Sequence, residues 1–318
     1  MSQIYDERCN IALYFSLIDG FVNNGRLPNS TTSQYTNHME TDLSAVTRSA
    51  NSTPFFIFNL FADYILPYKQ GQAWTQELLY LLDLLGLSER AARTTLSRMK
   101  QQGWFQTVRE GRRSRYELTE MGRRIIAEGD KRIFEKASTN WNGNWHLVVY
   151  SLPEEKRPLR NELRKKLVWF GFGNLAPGTW IAAHDRYAEL KPIIDSLNIR
   201  QHLTLFTSQR VGFMSNQEIV TKCWNLPQLA ADYNTFTARW QPEFERFTRQ
   251  QIKPSPEACF KTRFWLTFDF QPFPRKDPNL PASLLPQNWP GHTARNIFAQ
   301  YHDDLAIDLP NYFANLSN

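Results

Sequence analysis

The feature that most constrains this chain is a leucine-striped segment cut short by one glycine and restarted by one serine. Between Trp74 and Leu85, leucines stand at positions 78, 81, 82 and 85, the i, i+3, i+4, i+7 spacing of a helix buried along one face. Gly86 breaks the stripe and apolar Leu87 follows. Ser88 can then accept a backbone N–H as the N-cap of a second helix, with Glu89 in its first turn. In that helix Ala92, Leu96 and Met99 share one face, whereas Arg90, Arg93, Thr94 and Ser97 share another, and Gly103 ends it. Helix, glycine-containing turn and capped helix follow helix-turn-helix grammar. The apolar face anchors such a helix while short polar and arginine side chains reach base edges in a major groove.

The next stretch, WFQTVREGRRSRYEL, reads as two strands around a glycine-centred, arginine-rich turn, and Thr119 caps a further helix beginning EMGRRIIAEG. A helix opening at Pro54, with Phe55, Phe58, Leu60, Phe61 and Ile65 at helical spacings and a stop near Pro67, precedes the leucine stripe. Residues 54–140 are therefore expected to form a winged helix-turn-helix DNA-binding domain. Arg90, Arg93, Thr94 and Ser97 are the expected base readers, and Arg109, Arg112, Arg113 and Arg115 the expected phosphate contacts of the wing. The bland alternative is a small α+β unit with a solvated basic surface; the order of capped helix, basic polar face and basic hairpin favours DNA.

Charge supports that order. Ser88 to Arg115 holds eight basic residues against two acidic ones, an excess equal to the whole chain's net charge of +6. The remainder is neutral, so the positive field is concentrated on one element. The apolar fraction of 42% over 318 residues supplies cores for two or three domains. No apolar run reaches the length of a membrane span, the best, Ile11 to Val22, being short and broken by Asp19. The acidic Asp6 and Glu7 before it do not suit a secretory leader, so a cytoplasmic chain is expected. Cys9, Cys223 and Cys259 lie too far apart for a zinc pattern or a disulfide framework and read as reduced structural thiols. Residues 23–53 contain sixteen Ser, Thr or Asn among thirty-one, so residues 1–53 read as a flexible extension.

Beyond the wing, Trp145 to Leu152 alternates as a strand, Pro158 to Phe170 is a basic amphipathic helix, and Gly178 to Ala183 is strand-like. Lys191 to Leu197, His202 to Thr207 and Asn216 to Cys223 then read as helix, strand and helix. That order predicts a ferredoxin-like α/β domain over residues 141–223. From Trp224, Leu226, Leu229, Tyr233, Phe236 and Trp240 recur at three- and four-residue steps, so residues 224–318 are expected to be mainly helical. A proline-rich passage from Pro272 to Pro290 interrupts them. There Trp289, His292 and Arg295 open a helix behind a Trp-Pro-Gly turn. They are candidates for an anionic effector at a helix N-terminus, or equally for a structural turn whose polar residues cap and pair. The chain carries no nucleophile elbow, phosphate-binding glycine loop, nicotinamide fingerprint or zinc constellation, and no cofactor or metal is expected.

The run LLDLLGLSERAARTTLSRMKQQGWFQTVREGRRSRYELTEMG resembles the N-terminal domain of the PaaX family, repressors of aromatic catabolism operons. The segments WNGNWHLVVYSLPEEKR, LVWFGFGNLAPGTW and DPNLPASLLPQNWPGHTAR resemble that family's other stretches in the same order, from about residue 54 to 300. The resemblance implies a homodimer on two half-sites of operator DNA, released by an aryl-acyl-CoA such as phenylacetyl-CoA. The family's central domain also resembles the small ferredoxin-like nuclease subunit of CRISPR adaptation, which raises an enzyme reading. A metal nuclease needs carboxylates where its first strand ends, and here Val149-Tyr150-Ser151-Leu152 is followed by Glu154 and Glu155 only in the turn beyond. A dimerisation role is the expectation instead.

Overall fold

A computed structural model of the chain describes residues 53–133 and 141–316. The sequence features assigned to residues 1–52, Cys9 among them, lie outside the described residues. The architecture is mixed α+β, with two antiparallel sheets and a helical C-terminal region. Contacts divide the chain into two compact units. The first joins the described residues up to Lys131 with Pro254–Trp265 and Asp303 onward; the second holds Arg132–Lys253 and Leu266–His302. This partition differs from the expected succession of segments, because residues 224–318 contribute to both units.

The first unit opens with α1 (Thr53–Leu60), which continues through a wide-turn stretch, Phe61–Ile65, into α2 (Leu66–Lys69). Helical backbone thus passes the expected stop at Pro67. The Leu66 N–H reaches back five residues to the Phe61 carbonyl, and Pro67, which has no N–H to give the Asp63 carbonyl four residues back, leaves that carbonyl to a side-chain donor. The helix ends when Gln70 enters the left-handed region at φ 56°. Its aromatic face packs against segments distant in sequence: Phe56 lies 5.1 Å from Phe264, and Tyr64 lies 4.9 Å from Phe260 and stacks on Phe313 at 5.4 Å. Arg263, buried beside it, donates to the Asp63 carbonyl at 3.1 Å and covers the Tyr64 ring.

Strand β1 (Gln72–Trp74) leads into α3 (Thr75–Leu84) and α4 (Glu89–Gln101), then β2 (Phe105–Glu110), β3 (Arg113–Leu118) and α5 (Glu120–Ile133). The sheet order is β1-β3-β2. The turn between α3 and α4 is a Schellman motif. Gly86 stands at φ 82°, its N–H bonded to the Asp83 carbonyl, while the Leu87 N–H reaches the Leu82 carbonyl at 2.9 Å. Leu87 is buried beneath it, so the apolar residue after the glycine closes the turn.

In the second unit, β4 (Asn144–Tyr150), α6 (Arg157–Trp169), β5 (Gly173–Ala176), β6 (Thr179–Ala182), α7 (Tyr187–Ser196) and β7 (Leu203–Gln209) build an antiparallel sheet of order β5-β6-β4-β7. Val148, Trp180 and Ala182 of the sheet meet Leu163 and Leu167 of α6 and Leu190 and Ile194 of α7 in one core. The glycine-containing stretch at β5 gave no strand signal in the sequence, being too short for alternation to register. Helix α8 (Asn216–Cys223) follows, capped by Ser215, and then α9 (Leu226–Arg249) with Leu226, Leu229, Tyr233, Phe236 and Trp240 buried as expected. The rest of the chain comprises α10 (Pro256–Phe270), α11 (Phe273–Lys276), α12 (Pro290–Asp304) and α13 (Leu309–Asn315). Among the described residues no helix is long and apolar enough to cross a membrane.

Candidate nucleic-acid interface

Helix α4 is built as its sequence spacing required. Ser88 Oγ accepts from the Ala91 N–H at 3.4 Å, and Gly103 closes the far end at φ 84°. Ala92, Leu96 and Met99 are wholly buried, with Thr95 beside them, while Arg90, Arg93, Thr94 and Ser97 are exposed together on the opposite face. Two of the exposed residues already have partners. Arg93 Nε donates to Glu89 Oε1 at 2.7 Å, and the Thr94 hydroxyl donates to the Arg90 carbonyl at 2.8 Å.

The β2–β3 hairpin turns through Gly111 and Arg112. Gly111 has φ 60° and Arg112 is not in the left-handed region, the pattern of a type II′ turn, which demands glycine first. The register decides where each arginine goes. Thr107, Arg109, Ser114 and Tyr116 share one face of the hairpin, whereas Val108, Glu110, Arg113 and Arg115 share the other. The first face belongs to α4: Lys100 Nζ donates to Thr107 Oγ1 at 2.7 Å, and burial pushes the Tyr116 phenol above its usual range, the Arg93 guanidinium offsetting only part of the rise. Arg109 therefore sides with the exposed face of α4, and Arg112 occupies the tip. Arg113 lies on the opposite face; neither Arg112 nor Arg113 forms an ion pair among the described residues.

Arg115 is placed differently from the other three. It is half-buried, ion-paired to Glu110 and, at 2.7 Å, to Glu117, and its guanidinium lies 5.9 Å from the Trp74 ring centroid. Glu117, hydrogen-bonded by Arg115 and Gln106, is held below the usual carboxylate range. The arginine thus ties β1, β2 and β3 together. A second tie, from Thr75 Oγ1 to the Ser114 carbonyl at 2.9 Å, fastens the hairpin to the start of α3. Sequence reasoning missed both: Trp74 and Thr75 lie at least 39 positions before their partners, and Glu110 comes to the face of Arg115 only through the hairpin register. Thr119 does cap α5 as expected, accepting from the Gly122 N–H at 3.1 Å.

The C-terminal candidates separate. Trp289 is buried edge-on against Tyr233 at 6.0 Å, and Gly291 is needed behind it, since a Cβ there would meet the Trp289 indole nitrogen at 2.5 Å. Arg295 Nη2 donates to Asp277 Oδ2 at 2.9 Å, and Tyr233 Oη donates to the same oxygen at 2.7 Å. The Asn279 N–H donates to Asp277 Oδ1 at 2.7 Å. Burial and the Asp277 charge push the Tyr233 phenol far above its usual range. His292 is exposed outside this group. Trp289 and Arg295 are brought together, then, but the cation is matched by Asp277, the arrangement of the capped and paired turn.

At the end of β4, the Glu154 carboxylate accepts from Arg160 at 2.8 Å and is held below its usual range by that bond. Cys223 is half-buried and its thiol is pushed up to about 11 by burial; Cys259 is buried and bonds to the Pro254 carbonyl.

Three family models match the chain in order: PaaX-like protein at residues 50–122, PaaX protein central Cas2-like domain at 138–220, and PaaX-like protein C-terminal domain at 224–315. Transcriptional repressor PaaX of Escherichia coli strain K12 is 30% identical over 253 residues, 79% of each chain. Among solved structures, uncharacterized protein Rv0674 from Mycobacterium tuberculosis superimposes with a TM-score of 0.54 at 19% identity, covering 82% of this chain and 97% of that one, a likeness of fold. With its three segments matched in order and this identity across most of its length, the chain belongs to the PaaX family.

Proposed function

We propose that this chain is a transcriptional repressor, and not an enzyme, that binds operator DNA through a winged helix-turn-helix at residues 53–133. The observation that carries the reading is the division of α4 into a buried apolar face and an exposed Arg90, Arg93, Thr94 and Ser97 face beside an arginine-rich hairpin. The printed name of the Escherichia coli relative supports repression as the outcome. In this reading α4 enters the major groove, the wing follows the backbone, and Arg109, Arg112 and Arg113 neutralise phosphates. Arg115, already matched by two carboxylates, sets the wing's geometry instead.

The sheet order β5-β6-β4-β7, with α6 and α7 on one face, supports a ferredoxin-like reading of the central domain. Strand β7 is an edge, Phe206 on it is half exposed, and Val211 and Phe213 beyond it are fully exposed, which supports homodimerisation there and a two-half-site operator. An aryl-acyl-CoA such as phenylacetyl-CoA, implied by the family resemblance, is the proposed releasing effector. Because Asp277 already matches Arg295, its phosphates are assigned to cations other than Arg295.

The test is a titration of the chain with its own upstream promoter DNA at fixed salt, with and without phenylacetyl-CoA. Saturable, sequence-selective binding abolished by the thioester is expected. Selective binding untouched by the thioester removes the effector assignment, and no selective binding removes the repressor reading. Sedimentation of Phe206→Asp alongside the native chain tests the dimer, which the new charge is expected to split.

A further inference from the structure

Glu89 presents a puzzle on the reading face. Its carboxylate stands at the start of α4, 65% exposed, where it would repel DNA phosphates, and Ser88 already caps the helix. An exposed ion pair spaced four residues apart contributes little to stability. What the pair does do is geometric. Glu89 Oε1 takes the Nε–H of Arg93 at 2.7 Å, on a guanidinium that is itself 54% exposed. With Nε occupied by Glu89, the two terminal nitrogens remain as a fork with no hydrogen-bond partner among the described residues. That fork is the shape that grips the O6 and N7 acceptors of guanine.

The adjacent residue is set in a complementary way. The hydroxyl hydrogen of Thr94 is spent on the Arg90 carbonyl at 2.8 Å, so Thr94 has no donor left for a base edge and offers it the γ-methyl and the hydroxyl lone pairs. In the major groove, a methyl discriminates thymine through the C5-methyl group.

Building on the DNA-binding reading above, we infer that α4 carries a preset reading pair: Arg93, oriented by Glu89, reads a guanine, and the Thr94 methyl reads a thymine in the same half-site. Glu89 is a positioning residue and touches no base. Its acidic charge costs affinity for DNA in general and is retained for the discrimination it confers on Arg93.

The experiment selects bound sequences from a randomised duplex library with the full chain and with Glu89→Ala, Glu89→Gln, Arg93→Ala, Arg93→Lys and Thr94→Ser. These side chains are exposed, and thermal melting confirms that each variant is folded. The native chain is expected to prefer guanine at one position by about 5- to 150-fold, the range of one bidentate contact. Arg93→Ala, Arg93→Lys and Glu89→Ala lose that preference at the same position, while Glu89→Gln, whose amide oxygen still accepts from Nε, retains part of it. Glu89→Ala also binds unselected DNA more tightly than the native chain. Thr94→Ser loses a thymine preference elsewhere in the half-site, and replacing that thymine by deoxyuridine weakens the native chain but not Thr94→Ser. A purely structural Glu89 would weaken all sequences alike. Retention of the guanine preference by Glu89→Ala, or its loss at a base pair different from that of Arg93→Ala, overturns the inference while leaving DNA binding intact. Absence of any selected sequence for the native chain overturns the repressor reading and the inference together.

Discussion

Replacing Asp277 by alanine separates a structural role for the C-terminal aromatic turn from a ligand-binding one. The carboxylate is 4% exposed and accepts from Tyr233, Arg295 and the Asn279 N–H, all within 2.9 Å. Its removal leaves the Arg295 cation without its match and the Tyr233 hydroxyl without its acceptor. Breaking a buried pair from one side costs about 3–5 kcal/mol. The Arg295 side chain keeps 20% of its surface in water and can recover part of its hydration, so the lower end, about 3 kcal/mol, is expected. That is a large share of the roughly 5–15 kcal/mol that holds a folded domain together. With a urea dependence of about 3 kcal/mol per molar, the unfolding midpoint falls by about 1 M. The assay is tryptophan fluorescence during urea titration, for which Trp289, packed on Tyr233, is a local reporter. Converting both partners to apolar residues, Asp277→Leu with Arg295→Met, should restore the part of the loss that comes from the unmatched charge, while the Tyr233 hydroxyl and the Asn279 N–H still lack their acceptor. A midpoint that moves by less than about 0.3 M, together with a lost response to acyl-CoA, would refute the structural account and restore Arg295 as an effector contact.

The wing makes a contrast between two arginines. Arg112→Ala is expected to weaken binding to every sequence alike and to flatten the plot of log affinity against log salt by about one unit. Arg115→Ala, whose charge two carboxylates already match, should leave that slope unchanged and lower the thermal midpoint; a slope change equal to that of Arg112→Ala would undo the assignment. Asp269, partly buried and bonded to Arg239 at 2.7 Å and to Trp240 at 2.9 Å, has a raised carboxyl pKa because desolvation outweighs both partners. A raised folded value means that the protonated form favours folding. That contribution is complete below the unfolded value near pH 4 and is lost as pH rises through the folded one. Asp269→Asn has no proton to lose, so its stability relative to the native chain should improve across that window, as read by denaturation at pH 4, 5 and 6.

What the sequence made legible was the part decided by near neighbours. Ser88, Gly86 and Gly103 delimit α4 through hydrogen bonds spanning a few residues, and the apolar face of that helix follows from a single period. The hairpin was equally local, since Gly111 alone fixes its turn. Three-residue β1 offered no alternation to detect, yet its pairing of Trp74 with Arg115 gives that arginine its place. The turn near Trp289 was recognised as rigid, but the partners that decide its chemistry, Asp277 and Tyr233, are 18 and 62 positions away from Arg295 along the chain. Periodicity carries no information about which carboxylate will meet which guanidinium across such separations. The division of the wing's arginines between two faces was implicit in the strand alternation, but it needed the register to become specific.

The first unit is assembled from three stretches of chain, and that bears on any attempt to isolate the part proposed to read DNA. A fragment ending at Lys131 would contain α3, α4 and the hairpin intact, and would look complete to anyone choosing boundaries from the sequence. It would lack Phe260, Phe264 and Phe313, the rings against which Phe56 and Tyr64 are buried, together with Arg263, which covers Tyr64. Helix α4 would then rest on a layer whose outer aromatic face was open to water. Such a fragment is expected to aggregate, and the loss would come from residues more than one hundred positions downstream of the proposed DNA contacts.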